Sequence, residues 1–257
     1  MKQIHVELKN LYEQYREEKA PALVADIVEL SKQVDIGIVS PPLLLKPFPE
    51  YEKNRLRIAI VAQCTFGWSW SNEEGLYPEW IYKPINSFGD FAVDEDSITH
   101  LMIGYELFKF SERQSNNRNS PFWRFYRTIL EGLNIPKQEA GIWTNLFRVD
   151  VGGELPDGAI LASVLKFQEG LLRKELTILN PHIVIFTTYW GYDSIIEKEF
   201  GVVRKYEIDG IEEQVLCRLE IPNQSFNAFR TYHPNYLQRS QNFDTVTDML
   251  IKNIEKA

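Results

Sequence analysis

The sequence predicts an α/β fold built on a largely parallel central sheet, and three features carry that prediction. Short apolar runs rich in β-branched residues, Arg57 to Ala62, Gly141 to Phe147 and His182 to Thr188, read as strands buried on both faces. Stretches of helical period separate them, which is the alternation expected of parallel crossover units. Polar residues gather where the runs end, and open parallel sheets bind ligands at the carboxyl ends of their strands.

In chain order, Val6 to Glu18 and Ala22 to Val34 read as two helices parted by Pro21. Leu23, Val24, Ile27, Val28, Leu30 and Val34 give the second an apolar stripe. A proline-punctuated segment follows, with Leu43 to Leu45 expected to pack down on the body. Residues 1–50 are therefore expected to form an N-terminal helical arm, and residues 51–257 the α/β domain. The first strand switches to a loop at Gln63-Cys64-Thr65-Phe66-Gly67, and Trp68 to Phe91 reads as a long aromatic loop. Ser120 and Pro121 suit an N-cap and a first helical position, so a helix starts there with Phe122, Phe125, Tyr126 and Ile129 on one face. Gly132 and Pro136 bound its end. Beyond the second strand, Gly152-Gly153 and Pro156 lead into one long helix whose stripe runs from Leu161 to Leu179. Asn180-Pro181 stops it before the third strand, and His182 at that strand's entrance reads as a structural partner. A helix from Tyr192 to Phe200, an edge hairpin around Asp209-Gly210 and a helix from Thr245 to Lys256 follow.

Composition excludes several classes. The chain has 257 residues, 44% of them hydrophobic and 25% charged, which describes an ordinary globular protein with no apolar run long enough to span a bilayer. Met1 to Lys19 is charged and lacks the apolar core of a secretory signal, so a cytoplasmic location is expected. Cys64 and Cys217 each lie in apolar runs, which suits a reducing compartment. Two thiols cannot make a four-cysteine metal or cluster site, and neither metal nor cofactor is expected. The formal net charge of −8 argues against a broad basic face for duplex nucleic acid, while Arg113, Arg118, Arg124 and Arg127, with Arg230 and Arg239, leave room for a local basic groove.

Chemistry concentrates in Arg230-Thr231-Tyr232-His233-Pro234-Asn235-Tyr236-Leu237-Gln238-Arg239. The residue before a proline is pushed out of the helical region, so His233 is expected in an extended segment with a ring N–H able to donate to something bound. Asn145, at the end of a buried strand, must be satisfied by neighbouring backbone or offered to a ligand.

A strand ending in a short polar loop, an Asn-Arg stretch leading to Phe122-Trp123, a strand ending in Thr144-Asn145, then Asn180-Pro181-His182 and a third strand, and finally His233-Pro234: this order resembles the uracil-DNA glycosylase superfamily over roughly residues 55–256. His233-Pro234-Asn235-Tyr236-Leu237 is similar to the family's His-Pro-Ser loop, and the Asn117 to Trp123 stretch to the Asn-Arg-Phe-Trp segment of the mismatch-specific branch, with two residues inserted. Gln63 matches a glutamine of another, thermophile-type branch. The resemblance implies a three-layer α/β/α sandwich and a monomer that excises uracil or a related damaged base from DNA. It also implies that His233 stabilises the departing base, that Gln63 and Cys64 stand in the first catalytic loop, and that Asn145 reads a pyrimidine. Phe66, Phe88 and Phe91 are candidates for stacking on the base, and Asn235 and Arg239 for binding the substrate.

The chain departs from the family in that first loop. Cys64 stands where an acid orients water, and a neutral thiol is a poor base. Either another group such as Asp90 or Asp150 orients the water, or the reaction is slow or absent. The alternatives are a silent protein of the same fold that binds a nucleobase, nucleotide or single strand, and an α/β protein turned to another small molecule.

Overall fold

Ile58–Ala62, Gly141–Asn145 and Ile183–Phe186 are buried along their whole length, and each forms the strand its apolar run predicts. The structure, a computed structural model, describes residues 2–69, 84–110, 119–135 and 137–256. It divides into two units: Met1–Lys46, Cys64–Lys109 and Phe147–Lys174 in the first, and Pro47–Gln63, Phe110–Leu146 and Glu175–Ala257 in the second.

The second unit holds a six-stranded sheet in the order β2-β1-β3-β6-β5-β4. The strands are β1 (Ile58–Ala62), β2 (Gly141–Asn145), β3 (Ile183–Phe186), β4 (Arg204–Glu207), β5 (Leu216–Glu220) and β6 (Asn227–Thr231). The four strands β2, β1, β3 and β6 are mutually parallel, while β5 and β4 add antiparallel. The sheet is thus mixed, and the largely parallel expectation holds for its first four strands. β4 is exposed along its length and carries Arg204, Lys205 and Glu207, charges that discourage pairing at a sheet edge. The β4–β5 pair is the hairpin expected near Gly210. β6 was not foreseen as a strand.

The helices of both units follow from local signals. The first helix of the chain's sheet unit is short, Pro49–Lys53, and stands third in chain order after α1 (Lys2–Glu18) and α2 (Ala20–Ser31), so it is α3. Later come α4 (Phe88–Val93), α5 (Ser97–Phe110), α6 (Pro121–Gly132), α7 (Gly158–Gln168), α8 (Leu171–Leu179), α9 (Asp193–Phe200), α10 (Pro234–Arg239) and α11 (Phe243–Ile254). α6 starts as predicted, with the Ser120 hydroxyl accepting from the Trp123 N–H at 3.3 Å. Its far end approaches α11 closely: a Cβ at Gly132 would lie 2.2 Å from Ile251 Cδ1, so a larger residue there would make that side chain shift. Pro136, expected to bound this helix, lies outside the described residues.

In the first unit, α1 and α2 are integral, which corrects the expectation of an appended arm. Leu8, Leu11, Tyr12 and Tyr15 of α1 and Leu23 of α2 are buried. The Tyr12 hydroxyl accepts from the Leu45 N–H at 2.9 Å, and the Tyr15 hydroxyl donates to the Glu169 carbonyl at 2.7 Å. Pro21 sits in the first turn of α2, where its missing N–H costs nothing. Leu43 to Leu45 are buried as expected. The long helix predicted over residues 161–179 is two, α7 and α8, because Gly170 at φ 77° breaks the run, and a side chain there would crowd the Tyr15 hydroxyl at 3.3 Å.

Among the described residues, no helix is long and apolar enough to cross a membrane.

Candidate functional site

The four parallel strands present their carboxyl ends along one edge of the sheet. Ala62 pairs in register with Asn145, and Val61 with Phe186, which in turn pairs with Arg230. Gln63, Asn145, Thr187-Thr188 and Tyr232-His233 therefore share that edge. The strand order also reverses here, since β1 is flanked by β2 on one side and β3 on the other, and such a switch point is where open α/β sheets receive ligands. Gln63 spans it, its Nε2 donating to the Thr188 carbonyl at 3.3 Å. Asn145 is fully buried at the last position of β2. β2 and β6 are three strand spacings apart, roughly 14 Å between backbones, with the ends of β1 and β3 between them.

His233 caps α10. Its Nδ1 accepts from the Asn235 N–H at 3.3 Å, and a neutral ring that accepts at Nδ1 carries its proton on Nε2. The ring lies nearly parallel to Phe122 on α6, with centroids 6.3 Å apart and planes at 17°. Burial, and secondarily the Arg239 guanidinium, push its pKa down to about 4. His233 is thus a neutral N–H donor at physiological pH. Asn235 and Arg239 are exposed on α10, with Arg239 Nε donating to the Asn235 carbonyl at 3.3 Å.

The remaining candidates belong to the first unit. Cys64 donates its thiol to the Val149 carbonyl at 3.3 Å, and burial with the nearby Asp150 charge pushes its pKa up to about 12. Burial and the Asp150 charge thus keep the thiol neutral. Phe66 is 89% exposed and keeps both ring faces available. Phe88 and Phe91 do not: both are buried, packed edge-on against Phe167 with centroids 4.8 and 6.4 Å away. Their assignment as stacking residues is corrected, because protein already fills the space around their rings.

Both carboxylates proposed to orient water are held in place by backbone N–H groups. Asp90 closes a capping box at the start of α4, its Oδ2 accepting from the Asn86 and Ser87 N–H groups at 3.0 Å each. Asp150 is buried, and its Oδ2 accepts from the Thr65 hydroxyl at 2.6 Å, the Gly67 N–H at 3.1 Å and the Trp68 N–H at 3.0 Å. Its Oδ1 accepts from the Gly153 N–H at 3.0 Å. This side chain folds two loops. Asp150→Ala strands four donors, each worth ~1–3 kcal/mol when buried and unmade, and is expected to lower unfolding free energy by at least about 3 kcal/mol in a urea titration.

His182 is structural as expected, its Nδ1 accepting from the Arg57 N–H at 3.1 Å at the entrance of β3. Sequence reasoning placed Phe122 in a core stripe and missed its parallel stack on His233; Ser120-Pro121 fixes α6, but nothing local says which loop that helix meets. It also missed Tyr189 at the sheet edge, and gave no role to Thr188 at the end of the third strand or to Tyr232 in the histidine loop. Arg113, Asn117 and Arg118 lie outside the described residues. Among the described residues, no group of three or more His, Cys, Asp or Glu side chains could hold a metal ion. Neither a protein-family model nor a curated protein matches the chain significantly.

Proposed function

We propose that the carboxyl edge of the sheet receives a uracil-type base presented from DNA, and that the chain is a slow base-excision glycosylase with the three-layer arrangement of the uracil-DNA glycosylases. The observation that carries this reading is His233, a neutral imidazole whose Nδ1 is occupied and whose Nε2–H is left to donate. In N-glycosidic cleavage the C1′–N1 electron pair leaves with the base, negative charge develops on its carbonyl oxygens, and water adds to the sugar cation and loses a proton. A donor that strengthens as this charge grows stabilises the transition state more than the ground state. A carboxamide carries the donor and acceptor that a pyrimidine edge requires, and Asn145 stands at the last position of β2 beside this edge.

Slowness follows from the carboxylates. Cys64 is a neutral thiol, and Asp90 and Asp150 are tied to backbone N–H groups, so none of the three is assigned as a dedicated base for water. The same observation favours the second reading, binding of a nucleobase, nucleotide or single strand without cleavage. Purified protein incubated with single- and double-stranded uracil-containing oligonucleotides, then treated with alkali, separates them. The expected result is slow strand breakage at uracil; binding with no breakage moves the conclusion to the second reading, and neither binding nor breakage removes both.

A further inference from the structure

The segments carrying Thr188 and His233 also carry a ladder of aromatic rings. Tyr189 lies parallel to Tyr232, with centroids 6.0 Å apart and planes at 4°, and Tyr232 stacks on Tyr236 at 4.4 Å and 29°. Trp190 Nε1 donates to the Tyr232 hydroxyl at 3.2 Å. These are not core rings: Trp190 is 49% and Tyr236 46% exposed.

The backbone is strained to hold them. Tyr189 adopts φ 54° and ψ 167°, a region that glycine occupies and bulky residues avoid. Gly191 is required beside it, since a Cβ there would meet the Tyr189 ring at 2.4 Å. Strain of this kind persists where function retains it, and half-exposed rings return little burial energy in exchange.

We infer that this ladder is a stacking platform for the unpaired bases of a single nucleic-acid strand flanking the base held at the sheet edge. The inference rests on the proposed function and names the form of its substrate. Ring faces accept any base by stacking, without hydrogen-bond readout, and only an unpaired strand offers its bases' faces. A net charge of −8 argues against a broad basic face for gripping a duplex, so stacking is expected to supply much of the affinity. Arg239, exposed on α10 three residues beyond Tyr236, supplies one cation for a backbone phosphate. Tyr189 directly follows Thr188 and Tyr232 directly precedes His233, so a strand laid on the rings leads to the edge where the base is held.

The test uses the full chain and a fluorescein-labelled 12-nucleotide oligothymidine, which contains no uracil, beside a duplex of the same length. Fluorescence anisotropy is expected to give at least about tenfold tighter binding to the single strand, and the double variant Trp190→Ala, Tyr236→Ala to weaken it by roughly tenfold or more. The double variant Trp190→Phe, Tyr236→Phe keeps the ring faces and is expected to stay within about threefold of wild type. Equal or tighter binding of the duplex overturns the inference, as does a phenylalanine variant that loses as much affinity as the alanine one. Uracil release by the wild type, measured separately, decides the excision reading alone.

Discussion

Replacing His233 with alanine is expected to lower uracil excision by about 10²–10³-fold, the cost of removing one preorganised donor to a developing anion. The substitution also deletes the cap on the Asn235 N–H, so a loss of activity through misfolding has to be separated from a loss of the donor. His233→Asn does this: its carboxamide oxygen keeps an acceptor for the cap, while its shorter side chain cannot place an N–H where Nε2 stands. Both variants should lose excision, and the asparagine variant should melt close to the wild type. Undiminished excision in a folded His233→Asn protein would sink the assigned role. The depressed pKa gives a second readout. Above pH 6.5 the ring is neutral in both the folded and unfolded chain, and stability is at its full value. Between pH 6.5 and about 4 the unfolded chain takes up the proton first, so stability falls; below the folded value there is no further loss. The total loss attributable to His233 is about 3 kcal/mol. His182 is shifted in the same direction, so the quantity to measure is the difference in urea midpoints between wild type and His233→Asn across that range.

What could be read from the sequence was what local chemistry controls. Three strands announced themselves because burial on both faces demands unbroken β-branched runs, and α6 because Ser120 and Pro121 satisfy its first orphan N–H groups. Contacts that depend on distant partners were hidden. The aromatic residues Phe88 and Phe91 look the same in a binding loop and in a core until Phe167 is known to cover them. Asp150 looks like a free acid until the N–H groups of Gly67, Trp68 and Gly153 are found around it. The α1–α2 segment looks like an appendage because nothing in its own stripe reveals what buries Tyr12. For the site, the sequence pointed to Gln63, Asn145 and His233, and the parallel order of their strands brings these to one edge; the ring ladder beside them went unseen, since scattered tyrosines and a tryptophan carry no period.

The missed strand β6 has a particular cause, and it leads to the largest expected effect on stability. Asn227-Ala228-Phe229-Arg230-Thr231 does not read as a buried strand because an arginine stands in it, and Arg230 was instead expected to bracket the histidine loop. It is fully buried. Its Nη1 donates to the carbonyls of Glu213 at 2.9 Å and Gln214 at 2.7 Å, and its Nε lies 3.3 Å from Asp193 Oδ1, close enough for an ion pair though not aligned as a hydrogen bond. Lys205 reaches the other carboxylate oxygen at 2.7 Å, and that contact raises the lysine's pKa. One guanidinium thereby ties β6 to the β4–β5 hairpin connection and to the first turn of α9. Arg230→Met is expected to destabilise the chain by about 3–5 kcal/mol, because it leaves two carbonyls without their donor and Asp193 with a single, half-exposed cation. Arg230→Lys should recover only part of this, since an ammonium cannot reproduce the fork that serves two carbonyls and a carboxylate together. Removing both charges is the sharper test: if the cost is that of an uncompensated carboxylate, Arg230→Met combined with Asp193→Leu should lose less stability than the two single losses added together. Urea unfolding of the four proteins measures this directly. A strictly additive double variant, or an Arg230→Met protein within about 1 kcal/mol of wild type, would mean that the arginine is tolerated in β6 without holding it in place.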